Sequence, residues 1–564
     1  MILSVEISEK SFGNKQLLSE VKFSVDAGEK VGLIGRNGIG KSTLFSILLG
    51  RDKDFSGEII FRKNTTLAST RQEYSDVGEQ TVLEFILNDL PDYARLRHQI
   101  ETLPAKMGED LRLIEKYSDA LNTFHEKNFH FIEEKIKAEL RDFGLQNFEN
   151  RQMKTLSGGQ KRLVDTIKII HSNAQLALVD EPTNFMDFSA KKRFLDWMKN
   201  SPEAVLVITH DRDVLAQVDK IIEIRDGKSL IFHGNYDDYL RVNAFSTTNK
   251  IQDFESLQRR ISNLKDKVRE YQRMKERARD PSTIQRFKRL ENSAREELLE
   301  LEQIERPSFW IDKENVENLD FRAAKSYEKF KAKNVKIGMK TEAEKSRRSL
   351  IRVENLALGY GSLDDALTGE NGTKILFENV NFDLKVGEKI EFFGRNGAGK
   401  SSLIRAILSE NPQNLNGENG SLAIYDGEIF RDETVKIGIY EQEIGAEFFD
   451  LSLKQAIEKV YLSQKLSISE TKIRALLSQY LFTEEDFETP IRELSGGQKA
   501  RFQLIKMLSS EPQLLILDEP TSHLDLPSIE ELENALTNFA GAVIYVSHDD
   551  YFRQKIGGEV VKIP

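Results

Sequence analysis

The chain has 564 residues, 39% hydrophobic and 31% charged, with a formal net charge of −11 and no cysteine. That length suggests three or four domains, and the lack of cysteine removes disulfides, thiolate zinc sites and iron–sulfur clusters together. No stretch approaches ~20 apolar residues, and the first residues lack the charged and apolar regions of a signal peptide, so a cytoplasmic location is expected. The net charge conceals a split: residues 241–350 carry 27 Lys and Arg against 19 Asp and Glu, leaving 54 against 73 elsewhere.

In chain order, a strand is expected over 2–7, followed by Phe12. An apolar run at 31–34 then enters Gly35-Arg36-Asn37-Gly38-Ile39-Gly40-Lys41-Ser42-Thr43, and a helix is expected to 49. This fits G-x-x-x-x-G-K-[ST], a loop whose backbone N–H groups cradle phosphates between a strand and a helix. A β-rich stretch at 57–70 ends near Gln72, and helical spacing runs over 82–145. Leu156-Ser157-Gly158-Gly159-Gln160 follows. Next comes an apolar strand at 176–179 entering Asp180-Glu181-Pro182-Thr183, and another at 204–208 ending at Thr209-His210-Asp211-Arg212.

The second half repeats this order. Strand 351–356 and Tyr360 precede a run at 390–393 and Gly394-Arg395-Asn396-Gly397-Ala398-Gly399-Lys400-Ser401-Ser402. Gln442, Leu494-Ser495-Gly496-Gly497-Gln498, Asp518-Glu519-Pro520-Thr521 and Ser547-His548-Asp549-Asp550 follow. Ser157 stands 23 positions before Asp180 and 53 before His210; Ser495 has the same spacings to Asp518 and His548. From P-loop lysine to signature serine the gap is 116 in the first half and 95 in the second, so the first half carries an extra helical excursion. A repeat on this scale predicts two homologous α/β domains.

Between them, 239–348 gives no strand signal and reads as a basic helical insertion, hairpin-like by default. Two interruptions, Asp280-Pro281 and 306–320, are candidates for its tip. The second is favoured because Phe309 and Trp310 are suited to stacking on unpaired bases, with 321–345 returning as a basic helix. At the first, Asp280 is expected to cap a helix with Pro281 at its first position. Residues 362–373 read as a surface loop in the second half only.

The motifs together predict ATP hydrolysis. Lys41 with Ser42, and Lys400 with Ser401, supply the phosphate cradle and a hydroxyl for Mg²⁺. Asp180 and Asp518 are expected in the Mg²⁺ shell, and Glu181 and Glu519 as general bases on the attacking water. Gln72 and Gln442 are expected to orient that water or touch the metal, and His210 and His548 to contact the γ-phosphate. Phe12 and Tyr360 are placed to stack on adenine. Ser157 and Ser495 are suitable N-caps, and the helix starts they open offer N–H groups to an anion bound by the other half. Taken singly, a strand ending in Asp-Glu is more often a turn than a catalytic pair; their order, repeated, carries the reading.

These motifs resemble those of ABC-type ATPases over both halves. The finer match is to the ABC-F family, which has tandem nucleotide-binding domains, no transmembrane part and a long charged helical linker. Gly234-Asn235-Tyr236-Asp237-Asp238-Tyr239 is similar to that family's exit into its linker. The resemblance implies domains at 1–240 and 349–564, a linker at 241–348, and a monomer whose domains pair within the chain. It further implies binding at the ribosome's tRNA exit site, the linker reaching P-site tRNA, rRNA and the peptidyl-transferase centre, to regulate or rescue translation or protect against antibiotics. Site one would pair the first P-loop with Ser495-Gly496-Gly497, and site two the second with Ser157-Gly158-Gly159. The alternative is a cytoplasmic ATPase subunit of an ABC transporter, which shares the catalytic residues but needs no such linker. Family members using iron–sulfur clusters or zinc cysteines are excluded by the composition. The family's Asn-His-Leu-Asp appears as Asn184-Phe185-Met186-Asp187 in one half and Ser522-His523-Leu524-Asp525 in the other, and Arg212 is matched by Asp550. The two sites are therefore expected to differ in hydrolysis rate.

Overall fold

The computed structural model describes residues 1–12, 15–71, 79–90, 92–108, 110–277, 279–302, 335, 337–339, 348–361, 374–409, 422–441 and 444–564. The chain divides into two compact units, Met1–Tyr236 with Val335–Pro564, and Asp237–Asn334.

The first unit holds one arrangement twice. In the first half the strands are β1 (Leu3–Phe12), β2 (Lys15–Val25), β3 (Lys30–Gly35), β4 (Ser56–Phe61), β5 (Leu67–Ser69), β6 (Leu176–Asp180), β7 (Ala204–Ile208), β8 (Lys220–Arg225) and β9 (Lys228–His233). They form an antiparallel sheet ordered β2-β1-β4 and a second sheet ordered β5-β6-β7-β3-β8-β9, parallel except at the β8–β9 edge. β1 alternates, sending Leu3, Val5 and Ile7 into the core. β6 and β7 are instead near-continuously apolar, as strands covered on both faces must be. One core joins β1 and β3 to Leu44, Phe45 and Leu48 of the helix Lys41–Leu48, fixing that helix under the sheet. Each such buried side chain contributes roughly 1.5–3 kcal/mol.

The second half has β10 (Ser349–Tyr360), β11 (Lys374–Lys385), β12 (Lys389–Phe393), β13 (Leu422–Arg431), β14 (Ile437–Tyr440), β15 (Leu514–Asp518), β16 (Ala542–Val546) and β17 (Glu559–Lys562). Their order is β11-β10-β13 in one sheet and β14-β15-β16-β12-β17 in the other. In both halves the strand carrying the P-loop and the strand ending in Asp-Glu flank the strand ending at the histidine motif. Three motifs distant in sequence therefore meet at the carboxyl edge of one sheet, where α/β proteins hold ligands.

The longer spacing in the first half is taken up by helices Val82–Asn88, Tyr93–Thr102, Leu111–Glu126 and Ile132–Asp142. The second half has Leu453–Ser463 and Glu470–Gln479 in that interval.

In the other unit, helices Tyr236–Arg277 and Pro281–Glu302 run antiparallel. Leu264 and Val268 pack with Ala294, and Arg260 bonds Glu297 at 2.9 Å while Lys275 bonds Glu291 at 2.5 Å. The described reversal is therefore at Asp280-Pro281, one of the two candidate tips, while the favoured one at 306–320 lies outside the described residues. The reason is local: Asp280 accepts the Thr283 N–H at 2.9 Å, and Pro281 opens the next helix, where its missing N–H costs nothing. Phe309, Trp310 and the 321–345 and 362–373 stretches lie outside the described residues. Among the described residues no helix is long and apolar enough to cross a membrane.

Candidate active site

Each P-loop leaves its strand and turns into a helix through a left-handed glycine, Gly40 at φ 104 and Gly399 at φ 102. A Cβ on Gly40 would stand 2.9 Å from Leu17, so conformation and space both demand glycine there. Lys41 Nζ curls back to donate to the carbonyls of Gly35 (2.6 Å) and Arg36 (3.2 Å), and Lys400 does the same to Gly394 (2.7 Å) and Arg395 (3.0 Å). Burial holds both ammonium groups below their usual pKa. Among the described residues the hydrogen bonds of each ammonium go to its own loop's carbonyls, an arrangement an incoming phosphate can replace. Ser401 Oγ donates to Asp518 Oδ2 at 2.7 Å, joining the hydroxyl and carboxylate expected at the metal.

Glu181 and Glu519 follow their strands in left-handed conformations, φ 45 and φ 50, which turn each carboxylate into the cleft. His210 Nε2 is 3.6 Å from Glu181 Oε1, and His548 Nε2 is 3.3 Å from Glu519 Oε1. The His548 N–H also donates to Glu519 Oε2 at 3.3 Å. Burial raises the Glu519 carboxyl to about 7, with Lys400 pulling it down, and raises Glu181 likewise against Lys41. Burial lowers His548 to about 4 and also lowers His210, so both rings are neutral near pH 7. Both ring nitrogens of His210, Nε2 of His548 and Oε1 of Glu519 are buried without a hydrogen-bond partner. Polar atoms so placed cost free energy unless a ligand or water completes them.

Each site is completed by the other half. Ser157 and Ser495 cap the helices Gly158–His171 and Gly496–Leu508, accepting the N–H of Gln160 and of Gln498 at 3.3 Å. Gln160 and Gln498 return their side-chain oxygens to the serine N–H groups at 3.0 and 2.9 Å, so these two amides serve the cap. Gly497 lies so close to Asn37 that a Cβ there would overlap its side chain. A cavity of about 340 Å³ is lined by Asn37, Gly38, Gly40, Lys41, Ser42, Thr43, Asp180, Glu181 and His210 together with Ser495, Gly496 and Gly497. A larger one, about 820 Å³, brings Asn396, Gly397, Gly399, Lys400, Ser401, Ser402, Asp518, Glu519, His548 and Tyr360 against Ser157, Gly159 and Gln160. The Tyr360 hydroxyl is 2.9 Å from that of Ser402. A third cavity of about 50 Å³ is lined by Glu181, His210, Glu519 and His548 together. Phe12 ends β1 with its side chain outside the described residues, as Gln72 and Gln442 are entirely.

The sequence reading placed Asn37 and Asn396 at the nucleotide but missed the bonds they make across the halves. Asn37 donates its N–H to Asp525 (3.3 Å) and its amide to the His523 carbonyl (2.9 Å). Asn396 does the same to Asp187 (3.2 Å) and Phe185 (3.1 Å). Asp187 and Asp525 each also cap the helix that follows them. Their signal was the Asp at a fixed step after each Asp-Glu-Pro-Thr.

The family model described as "ABC transporter" matches residues 18–184 and again 377–522. The chain is 30% identical to the putative ATP-binding protein YdiF of Bacillus subtilis (strain 168), over 100% of this chain and 80% of that protein. It is 31% identical to ABC transporter F family member 2 of Arabidopsis thaliana, over 99% of this chain and 76% of that one. Among solved structures it is similar to RNase-L Inhibitor, with a TM-score of 0.54 and 17% identity over 97% of this chain and 85% of that one. It is also similar to a crystal structure of the complex of archaeal ribosomal stalk protein aP1 and archaeal ribosome recycling factor aABCE1 (TM-score 0.55, 18% identity, 98% and 87% covered). At these identities the structural matches establish a common fold. With the model matched once in each half and an F-family relative aligned along nearly the whole chain, the protein belongs to the ABC-F family of tandem ATP-binding cassette proteins.

Proposed function

We propose that the chain is an ATPase that acts on the ribosome, with ATP as the substrate that holds its two halves together. The observation that carries the ATPase reading is that each P-loop lysine shares a cavity with its own Glu and His and with the other half's signature serine. Lys41 and Lys400 bind the phosphates, and the N–H groups at the Gly158 and Gly496 helix starts face the γ-phosphate from the opposite side. Glu181 and Glu519, raised toward neutral pH, take the proton of the attacking water at a carboxylate oxygen, and the neutral histidines hold that water or the γ-phosphate. Ser42 with Asp180, and Ser401 with Asp518, are the hard oxygen donors suited to Mg²⁺, which when bound would neutralise charge on the β- and γ-phosphates.

The ribosomal part rests on the linker. Arg273, Arg277, Arg279, Arg286 and Lys288 gather around the Asp280-Pro281 turn, a density of cation suited to RNA phosphates. Two of the structurally similar proteins are described in ribosomal terms, as a ribosome recycling factor and as ribosome-bound Pelota and ABCE1. In this reading the protein is cytoplasmic, domains 1–240 and 349–564 close on ATP, and linker 241–348 reaches P-site tRNA and rRNA to regulate or rescue translation or protect against antibiotics. The test is sedimentation with ribosomes and ATP. Glu181→Gln/Glu519→Gln, which binds ATP without turnover, is expected to stay in the ribosome fractions, and Lys41→Ala/Lys400→Ala to leave them. Lysine-variant binding with none for the glutamine variant would refute the mechanism, and binding by neither would remove the ribosome.

A further inference from the structure

The contact between the halves holds buried charges that the reaction above does not use. Arg212, two residues beyond His210, is 5% exposed, and Glu533 is 1% exposed. The guanidinium meets the carboxylate as a fork, Nη1 at 2.8 Å from Oε1 and Nη2 at 3.4 Å from Oε2. Arg212 belongs to the first half. Glu533 belongs to the second-half helix Leu526–Thr537, which is capped by Asp525, the residue that receives the Asn37 N–H. This pair therefore joins the two sides of site one.

Site two is joined differently. When Asp180 is set on Asp518 and His210 on His548, Arg212 falls on Asp550 and Glu533 on Leu195. Asp550 is paired at 2.8 Å with Arg553 of its own helix, and Leu195 carries no charge. Besides the Asn396 bonds, Lys191 crosses there from the helix Phe188–Asn200, its Nζ reaching the His548 carbonyl at 3.2 Å, and the Arg212 guanidinium lies over the ring of Tyr551, three residues past His548, at 5.6 Å without a carboxylate fork on that side. The shorter bonds of Lys191 are to its own half, Asp213 at 2.5 Å and Asp211 at 2.9 Å. A rigid guanidinium fork on a carboxylate is a stronger and more directional contact than an ammonium on a neutral carbonyl.

We propose that Arg212 is a positioning residue: locked to Glu533, it ties the backbone beyond His210 to the helix that follows Asp525, so site one stays assembled while site two opens first. The proposal rests on the ATPase reading and adds to it an order of opening. A buried pair of this kind is not automatically stabilising, but removing one partner strands the other charge in the closed state, and water relieves it only when the halves part. Loss of either partner therefore favours opening at site one.

The experiment uses the full chain with Glu181→Gln/Glu519→Gln, so that release of labelled ATP reports opening rather than hydrolysis. Two release classes are expected, the slow one assigned to the peptide around Lys41 by photolabelling with 8-azido-ATP. Arg212→Gln and Glu533→Gln should each speed the slow class by about tenfold or more and leave the fast class within about twofold. Their combination should be no faster than the worse single variant, and Arg212→Glu/Glu533→Arg should restore slow release. A slow class that maps to Lys400, single variants that leave it unchanged, additive effects, or equal acceleration of both classes would each overturn the latch. Failure of the parent to retain any ATP would overturn the ATPase reading beneath it.

Discussion

Sites one and two share the P-loop lysine, the Asp-Glu pair and the histidine, and differ in what surrounds them. Site one is a cavity of about 340 Å³ with His523 beside its signature glycine, and the Arg212–Glu533 pair begins two residues beyond its His210. Site two is about 820 Å³, with Phe185 in the corresponding place and a neutral acceptor for Lys191 at its edge. Identical chemistry in unequal surroundings is what the proposed order of opening draws on, in which one site would hold the halves while the other turns over.

The largest test of that division is to remove one base at a time. Glu519→Gln is expected to lower phosphate release at saturating ATP by about 10²–10⁴-fold, while Glu181→Gln leaves most of it. Equal losses would erase the comparison. The next effect is in pH. A carboxyl raised to about 7 by burial acts as a base only after losing its proton, so kcat/KM should fall about tenfold for each unit of pH below that value and level off above it. The step should vanish in Glu519→Gln and persist in Glu181→Gln. The smallest effect is at the asparagines. Asn37→Ala and Asn396→Ala each remove an amide bond to the opposite half, worth about 1 kcal/mol, or about fivefold in KM for ATP. With the charged pair still holding site one, the Asn37 variant should be the milder. A KM series in the reverse order would place the tighter contact at site two.

What the sequence made legible was whatever depends on spacing along the chain. The P-loops, the acidic pairs after apolar strands and the serine caps are local patterns, and they arrive at one sheet edge because strand order brings them there. The bond between Arg212 and Glu533 joins residues far apart in the chain and on different halves. Either residue read alone is an ordinary surface charge, whereas in the folded chain the two are buried together. In the linker the local chemistry was legible too: Asp280 caps the helix that Pro281 opens, as their order in the sequence implies. Gln160 and Gln498 fall between these cases, since their spacing from the serines already satisfied a capping box and the structure uses it.

The serine that starts each signature helix carries a further implication. Its oxygen already accepts an N–H from its own helix, so what it has to give is its hydrogen. An aspartate would start the helix just as well, since it ranks with serine among the best residues for that position. It would also place a negative charge at the mouth where a phosphate must enter. Folding alone does not ask for serine at 157 and 495; a visiting anion does.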